Sequence, residues 1–257
     1  MPRKAKLASL AQADAAPGGT ASVDRALTVL SAFRTGDKAL SLTEFAVRTQ
    51  LHKSTVLRLL ASLMHAGWIQ RREDGGYELG LEVARLHGIF SSASSLDRIV
   101  MPRLQELVAL TGEGASYHVK QPNGAGWNRL CLYRVDSSHT VRDHVQPGDL
   151  LPADRGVGAR VLIAYSEPAV QGATEADRAL YANIKSTGFC ALIGDRSPDL
   201  AGISAPVFHA DGRLAAAVTL TMPTHRYNPA YIPHVVAAAQ RLTGMVYFNV
   251  SRTCLRT

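Results

Sequence analysis

Cysteine and long apolar runs are both scarce in this chain of 257 residues. Its three cysteines, Cys131, Cys190 and Cys254, lie far apart, and no two have the spacing of metal ligands. We therefore expect neither a disulfide scaffold nor a structural zinc site, and a reducing cytoplasm fits. No segment approaches the roughly 18 uncharged apolar residues of a membrane span, so we expect no membrane partner.

Catalytic motifs are missing as well. There is no P-loop and no Gly-x-Ser-x-Gly turn, and the histidines lack the spacing of a zinc enzyme. The turn Thr187-Gly188-Phe189-Cys190 is one candidate nucleophile turn, but a lone cysteine is more often packed in a core. The sequence predicts no catalytic residue, no metal and no cofactor. The histidines that an enzyme would have to use are scattered: His118, His139, His144, His209, His225 and His234.

The charge balance is modestly basic. Lys and Arg number 28 against 21 Asp and Glu, which gives a net charge of +7. This excess permits a polyanionic partner without requiring one. Because 46% of the residues are hydrophobic, the chain can build a sizeable core, and its length suits one or two domains.

The N-terminal region reads as an arm followed by helices. Residues 1–21 are rich in small residues and predict a flexible arm. Apolar residues then recur at helical spacing from Val23 to Phe33, with Ser22 as a candidate N-cap and Gly36 as the stop.

A helix-turn-helix pattern comes next. Ser41 and Glu44 have capping-box spacing, and a second, amphipathic helix follows Leu51, capped by His52 or Ser54, and ends at Gly67. Two strand-like runs around Glu73-Asp74-Gly75-Gly76 then predict a β-hairpin. A hairpin directly after a helix-turn-helix is a wing, so residues 22–80 are predicted to form a winged helix-turn-helix domain.

The rest of the chain predicts a linker helix at 81–96 and an α+β domain with an antiparallel sheet at 97–257. The polar break Ser91–Ser95 is a place where domains could join. Predicted strands are Ala115–Lys120, Trp127–Val135, Thr140–Val145, Gly202–Phe208 and Arg213–Thr221. Predicted helices are Leu96–Leu110, Arg155–Tyr165, Glu175–Ser186 and one long C-terminal helix, Pro229–Asn249.

The second helix of the motif carries the features of a DNA reader. Between Phe45 and Arg72 there are five basic residues and no acidic one. First-turn residues of such a helix reach base edges in the major groove, while wing residues contact the backbone or minor groove. A solvated charged face is the alternative, but the ordered agreement of caps, turn and hairpin favours DNA. The predicted DNA-binding residues are Ser41, His52, Lys53, Ser54, Thr55, Arg58, Arg71 and Arg72.

These motifs resemble a known family. The segments SVDRALTVLSAF and SLTEFAVRTQLHKSTVLRLLASLMHAGWI, with Tyr77-Glu78-Leu79-Gly80, are similar to the N-terminal domain of IclR-type transcriptional regulators. ISAPVFHADGRLAAAVTLTMP resembles the family's second signature, and the likeness spans roughly residues 20–250. It implies a winged-helix DNA reader, a linker helix, a GAF-like effector domain, and dimers that often pair into tetramers.

A ligand site is expected in the C-terminal half. Gly156 and Gly158 at a probable helix start would let an anion approach bare N–H groups, so a small carboxylate is the expected ligand; close helix–sheet packing is an equal alternative. Thr219 and Thr221 share a strand face. Trp127, Arg129 and Tyr133 alternate on another strand, which suits an aromatic carboxylate unless Arg129 faces solvent.

The family resemblance implies further pocket residues. Gly156, Val157 and Gly158 match its Gly-x-Gly-Lys segment, while Ala153 stands where many members have His and Arg160 lies near the usual Lys. Asp195 and Gly202 are the nearest matches to the family's acidic and strand positions.

The sequence therefore predicts a ligand-responsive regulator. A dimer would bind a pseudo-palindromic double-stranded operator, and a small carboxylate, with an aromatic acid as one option, would be the effector. A small-molecule-transforming enzyme and a protein-interaction module are the alternatives.

Overall fold

The computed structural model describes residues 9–13, 15–93, 96–123, 126–166 and 173–246. The chain forms two compact units, Met1–Ala93 with Pro122–Gly126, and Ser94–Gln121 with Trp127–Thr257. Each unit has its own buried core. Part of the predicted break at Ser91–Ser95 lies outside the described residues, and domain boundaries after residues 21, 80 and 96 stay predictions.

The first unit is a helix-turn-helix with a wing. In chain order it contains α1 (Leu10–Ala13), α2 (Ala21–Leu30), α3 (Leu42–Thr49), α4 (Lys53–His65), β1 (Ile69–Arg71), β2 (Tyr77–Leu79) and α5 (Leu81–Ala93). The two strands pair antiparallel, with Gln70 opposite Glu78, which confirms the predicted hairpin.

Helix starts follow local side-chain chemistry. The capping box of α3 is confirmed, because Ser41 Oγ accepts from Glu44 N at 3.2 Å and Glu44 Oε2 accepts from Ser41 N at 2.7 Å. The prediction for α2 was wrong in detail: its N-cap is Thr20 rather than Ser22, and it ends at Leu30. The turn that follows is held instead by Asp37, whose Oδ2 accepts from Arg34 N at 2.8 Å.

The core of this unit forms where the helices face the wing. Phe45 of α3 packs edge-on against Phe33 and Tyr77, with ring centroids 5.4 and 6.1 Å apart. Val56 and Leu60 of α4 are fully buried beside them. Burial of this apolar stripe fixes which side of α4 faces outward.

The second unit is an antiparallel sheet with helices on both faces. Its described sheet has the strand order β5-β4-β3-β8-β7-β6. The strands are β3 (Gly114–Asn123), β4 (Gly126–Val135), β5 (Leu150–Leu151), β6 (Cys190–Ile193), β7 (Leu200–Phe208) and β8 (Leu214–Pro223). The helices are α6 (Leu96–Thr111), α7 (Val157–Ala164), α8 (Glu175–Thr187) and α9 (Ile232–Leu242), with 3-10 turns at Thr224–Arg226 and Pro229–Tyr231.

Two hydrophobic clusters cover the two faces of the sheet. Leu104 of α6 and Val235 of α9 pack with Tyr117 and Leu220 on one face. Val161 of α7 packs on the opposite face with residues of α8. This arrangement confirms the predicted α+β class and leaves the start of α7 lying against the sheet.

Two predicted elements differ from the structure. Thr140–Val145 is not a strand, because its backbone contacts side chains: Asp143 O accepts from Arg134 Nη2 at 3.1 Å. The helix predicted at Pro229–Asn249 is shorter. It ends at Leu242, where Gly244 N turns back to donate to Phe208 O at 2.9 Å. The last three residues of that prediction lie outside the described residues.

Gly80 provides a test of how the wing closes. A Cβ on Gly80 would lie 2.2 Å from the backbone oxygen of Gly67, so the turn must shift to accept a side chain. We expect Gly80→Ala to lower the free energy of unfolding by about 1–3 kcal/mol, measured by calorimetry of the full chain.

Gly88 of α5 is the matched control. A Cβ there would meet nothing within 4 Å, and alanine is the better helix former. Gly88→Ala should therefore raise stability by about 0.5–1 kcal/mol. Equal effects of the two substitutions would contradict the close approach at Gly80.

Candidate functional site

The outer side of α4 is exposed and basic. Lys53, Ser54 and Arg58 lie on this side and are exposed, and Thr55 is half-buried. Lys53 Nζ donates to Thr43 Oγ1 at 2.8 Å, so it is held loosely toward α3. Among the described residues, Arg58 has no carboxylate partner. Its charge is therefore available to an anion.

Two predicted contact residues occupy helix N-cap positions, and one of them also holds the local fold. His52 is the N-cap residue of α4, is exposed, and makes no capping hydrogen bond with its side chain. Ser41 uses its Oγ to cap α3. A contact from Ser41 to another molecule therefore competes with its capping bond.

The two wing arginines differ in their partners. Arg71 lies 5.8 Å from the ring centroid of Tyr77, a cation–π contact, and no carboxylate of the described residues forms a salt bridge with it. Arg72 pairs with two acidic wing residues, Asp74 at 3.2 Å and Glu78 at 3.4 Å. Local carboxylates thus reduce the positive potential at Arg72 and not at Arg71.

A small cavity lies in the second unit, between α7 and the sheet. The centre of a water molecule can reach about 30 Å³ of it, which is room for about two waters or a ligand of few atoms. Its apolar lining includes Val145, Val157 and Leu192. Its polar lining consists of Ser116, His118, Arg129, Asp143, Asp195, Arg196, Thr219 and Thr221.

Arg129 is a buried cation that forms no salt bridge with a carboxylate of the described residues, although Asp143 and Asp195 lie near enough to favour its charge. The residue is 3% exposed, and its Nε and Nη2 have no hydrogen-bond partner among the described residues. Burial lowers the pKa of Arg129 to about 10, helped by the nearby charge of Arg196. It is still protonated at neutral pH. Uncompensated burial of a charge is costly, so this arrangement indicates a place for an anion.

The other charged groups of the cavity are paired. Asp143 Oδ2 lies 2.7 Å from Arg196 Nη2, although this nitrogen lacks the geometry of a hydrogen bond, and 3.7 Å from Arg134. Asp195 receives a two-point contact from Arg160, at 2.9 and 3.1 Å. Among the described lining residues, Arg129 is therefore the arginine that lacks a salt bridge to a carboxylate.

The start of α7 is already capped by the protein itself. Gly156, with φ of +87°, precedes the helix and donates its N–H to Asp195 Oδ2 at 2.5 Å. Burial opposes ionisation of Asp195, but the hydrogen bonds from Arg160 and Gly156 outweigh it and lower its pKa. A ligand carboxylate consequently cannot take the Gly156 N–H without displacing Asp195.

His118 lies beside Arg129 at the floor of the cavity. A Cβ on Gly158 would be 2.8 Å from Arg129 Nη1, 2.9 Å from Thr219 Oγ1 and 3.4 Å from His118 Nδ1, so all three groups close around that glycine. Burial, followed by the charge of Arg129, holds the pKa of His118 well below its usual range. His118 is therefore neutral.

The structure brings most of the predicted pocket residues together. Arg129, Gly156, Val157, Asp195, Gly202, Thr219 and Thr221 line the cavity, and Gly158 borders it. Gly202 leaves room for Val157, because a Cβ there would lie 2.6 Å from Val157 Cγ2.

Two predicted pocket residues lie elsewhere. Tyr133 packs toward the α6–α9 side of the sheet, with its ring 6.2 Å from that of Tyr117. Strict alternation fails on β4, because the consecutive Leu132 and Tyr133 both pack on that side. Trp127 packs with the cluster under α7 and stacks with Lys120 at 5.2 Å, outside the lining.

The sequence prediction missed Ser116, His118, Asp143 and Arg196. Ser116 and His118 alternate on β3, which is a pattern that could have placed them on one face. His118 has no motif around it, and the sequence alone does not distinguish it from the other scattered histidines. Asp143 and Arg196 come from loops, whose approach to the cavity depends on the tertiary fold.

Within the described residues, no group of acidic, cysteine and histidine side chains is arranged to hold a metal ion. No described helix is long and apolar enough to cross a membrane. A winged helix-turn-helix with an exposed basic second helix, joined in one chain to a sheet domain, defines a class of DNA-binding regulators.

Comparisons with known proteins support that class. Residues 22–73 match the IclR helix-turn-helix domain. The transcriptional regulator BhcR of Paracoccus denitrificans is 25% identical over 248 residues, covering 88% of this chain and 87% of the relative. A structure from Silicibacter sp. TM1040 that is assigned to the IclR regulators is 26% identical, with a TM-score of 0.74, covering 87% and 95% of the two chains.

A third comparison concerns the fold alone. An IclR homologue from Microbacterium hydrocarbonoxydans, solved with 4-hydroxybenzoate, has a TM-score of 0.73 at 21% identity and covers 86% and 97% of the two chains. Residues 22–73 therefore carry an IclR helix-turn-helix domain, and most of the chain is similar to transcriptional regulators of that type, which agrees with the resemblance seen in the sequence motifs.

The unpaired state of Arg129 has a measurable consequence for stability. We expect Arg129→Met to raise the free energy of unfolding by about 1–3 kcal/mol, because the substitution removes a buried, unsatisfied cation and keeps its volume. Thermal and denaturant unfolding in ligand-free buffer measure the change.

Arg134 is the matched control on the same strand. It is equally buried but donates to Asp136 Oδ1 at 2.7 Å and to Ser116 Oγ at 3.1 Å. Arg134→Met should lower stability by about 2–3 kcal/mol, because it breaks charge-assisted bonds. Destabilisation of similar size in both variants would mean that Arg129 has a partner.

Proposed function

We propose that the chain binds a pseudo-palindromic operator as a dimer, with α4 of each protomer in the major groove. The observation that carries this proposal is the exposed basic side of α4, whose opposite side is buried in the core. Lys53, Ser54 and Arg58 then reach base edges and phosphates, and Thr55 contributes from the edge of that side. His52, Ser41, Arg71 and Arg72 contact the DNA backbone around the groove.

We further propose that the second unit binds a small carboxylate effector in the cavity. Arg129 supports this proposal, because its buried guanidinium has two nitrogens without a hydrogen-bond partner among the described residues, and a carboxylate matches its fork geometry. The ligand carboxylate pairs with Arg129 beside Gly158, while Asp195 stays on the α7 N-terminus. Val157, Gly202, Thr219 and Thr221 shape the rest of the site.

The size of the cavity favours a non-aromatic acid. The aromatic option rested on Trp127 and Tyr133, and neither residue lines the cavity. A structural neighbour holds 4-hydroxybenzoate, which supports a carboxylate more than an aromatic ring at a site of about 30 Å³. An aromatic ligand would require the lining to move apart.

The effector regulates DNA binding only through unequal affinity for two arrangements of the dimer. A ligand shifts the equilibrium by its difference in affinity for the two states and by nothing else. The residues 81–96 are proposed as the connecting helix that differs between these arrangements.

The DNA proposal is tested at Arg58. We expect Arg58→Ala to weaken operator binding by about 1–3 kcal/mol if Arg58 reads a base, or to reduce the salt slope by about 1 if it contacts a phosphate. Gel shifts with operator duplexes selected from a random pool, repeated at several salt concentrations, measure both effects.

Lys185 supplies the control. It is an exposed cation on α8 and lies outside the proposed interface. Lys185→Ala removes the same unit of charge and should leave both affinity and salt slope unchanged. If the Arg58 and Lys185 variants behave alike, α4 does not read DNA through Arg58.

The effector proposal is tested at Arg129. Small carboxylates that bind should raise the melting temperature of the wild-type protein, because they bind only the folded state. Arg129→Met should abolish this rise. Arg155→Met changes an exposed arginine just before α7 and should keep it. A full ligand response in the Arg129 variant would remove this residue from the site.

A further inference from the structure

His118 lines the cavity and has one unpartnered ring nitrogen. The residue is 3% exposed, and its Nε2 has no hydrogen-bond partner among the described residues. Its other ring nitrogen, Nδ1, lies 3.3 Å from Thr219 Oγ1. Whether Nε2 can donate or accept depends on which nitrogen carries the proton. The neighbouring hydroxyls decide this question.

The hydroxyls form a chain that ends on a backbone oxygen. Ser204 Oγ lies 2.9 Å from Val218 O and also 2.9 Å from Thr219 Oγ1. A carbonyl can only accept, so the one proton of Ser204 satisfies Val218 O. Ser204 Oγ then accepts the proton of Thr219, and Thr219 Oγ1 is left to accept from His118.

This direction makes the largest number of hydrogen bonds. It makes three hydrogen bonds, from Ser204 to Val218 O, from Thr219 to Ser204 and from His118 to Thr219, whereas the reverse direction makes two. In this arrangement neutral His118 carries its proton on Nδ1. Its Nε2 is then a bare lone pair, in a residue that lines the same cavity as Arg129.

From this arrangement we infer that the effector is a small hydroxy-carboxylate monoanion, with its carboxylate on Arg129 and its hydroxyl donating to His118 Nε2. This inference rests on the proposed carboxylate site and adds to it the second group that the ligand must carry. A keto acid presents only an acceptor to Nε2, and an unsubstituted acid leaves it unpaired. Both alternatives leave or create an unsatisfied buried group.

Matched acids test the inference. Lactate, propionate and pyruvate share one carboxylate and three carbons and differ at the second carbon; glycolate with acetate, and 2-hydroxybutyrate with butyrate, vary the length. Calorimetric titration of the full-length protein should show one hydroxy acid binding at least tenfold more tightly than its unsubstituted and keto partners. Both enantiomers are titrated where they exist.

The outcomes distinguish a failure of the hydroxy-acid inference from a failure of the proposed carboxylate site. If hydroxy, keto and unsubstituted acids bind alike, or if the keto acid binds best, the carboxylate site stands and the role of His118 is overturned. If none of the acids binds, the proposed carboxylate site fails and the inference fails with it.

Variants test whether His118 causes the preference for the hydroxy acid. His118→Leu should retain propionate binding within about threefold and lose the preference for the hydroxy acid. Thr219→Ser keeps the accepting hydroxyl and should keep the preference. Thr219→Val removes that acceptor, frees the proton to move to Nε2, and should shift the preference toward the keto acid. An unchanged preference in the His118 or the Val variant contradicts the inference.

The proton position is also measurable without any ligand. Nitrogen-15 NMR of histidine-labelled protein should show one neutral histidine protonated on Nδ1, and its signal should be missing in His118→Leu. A His118 signal protonated on Nε2 would overturn the inference directly.

Discussion

The uncompensated charge of Arg129 is the constraint on which the C-terminal unit depends. A guanidinium buried beneath α7 with two nitrogens that lack a hydrogen-bond partner among the described residues destabilises the folded chain, so some other requirement must maintain it. The surroundings show that the fold can satisfy such groups, since Arg134 on the same strand and Arg160 on α7 are paired with carboxylates. Of these three arginines, Arg129 is the one without a salt bridge to a described carboxylate, and it is also the one that lines the cavity.

The glycines around the cavity follow from the same constraint. Gly158 leaves the space in which Arg129, Thr219 and His118 approach one another, and Gly202 lets Val157 pack down onto the sheet. Asp195 meanwhile binds the free N–H of Gly156, so the helix terminus is satisfied before any ligand arrives. The proposed preference of this site for an anion therefore rests mainly on a side chain and less on the helix terminus.

The sequence predicted those features that depend on local chemistry. The capping box at Ser41 and Glu44 and the wing hairpin need only residues close in the chain, and both were confirmed. Tyr133 was placed wrongly because alternation on β4 breaks beside it, and no local pattern announces that break. His118 was missed because its importance lies in partners about one hundred residues away, Thr219 above all. The domain boundaries and the roles of the contact residues remain predictions.

The two units divide the work of a regulator in physical terms. In the first, charge lies on the surface, where exposed arginines cost little and bind a polyanion reversibly in a salt-dependent way. In the second, charge is buried, where a single ligand contact changes the free energy far more. A ligand that neutralises Arg129 acts on the packing between α7 and the sheet, so its binding energy is available to favour one arrangement of that packing over another. A site that bound the ligand with equal affinity in both arrangements would stabilise both alike and would transmit nothing.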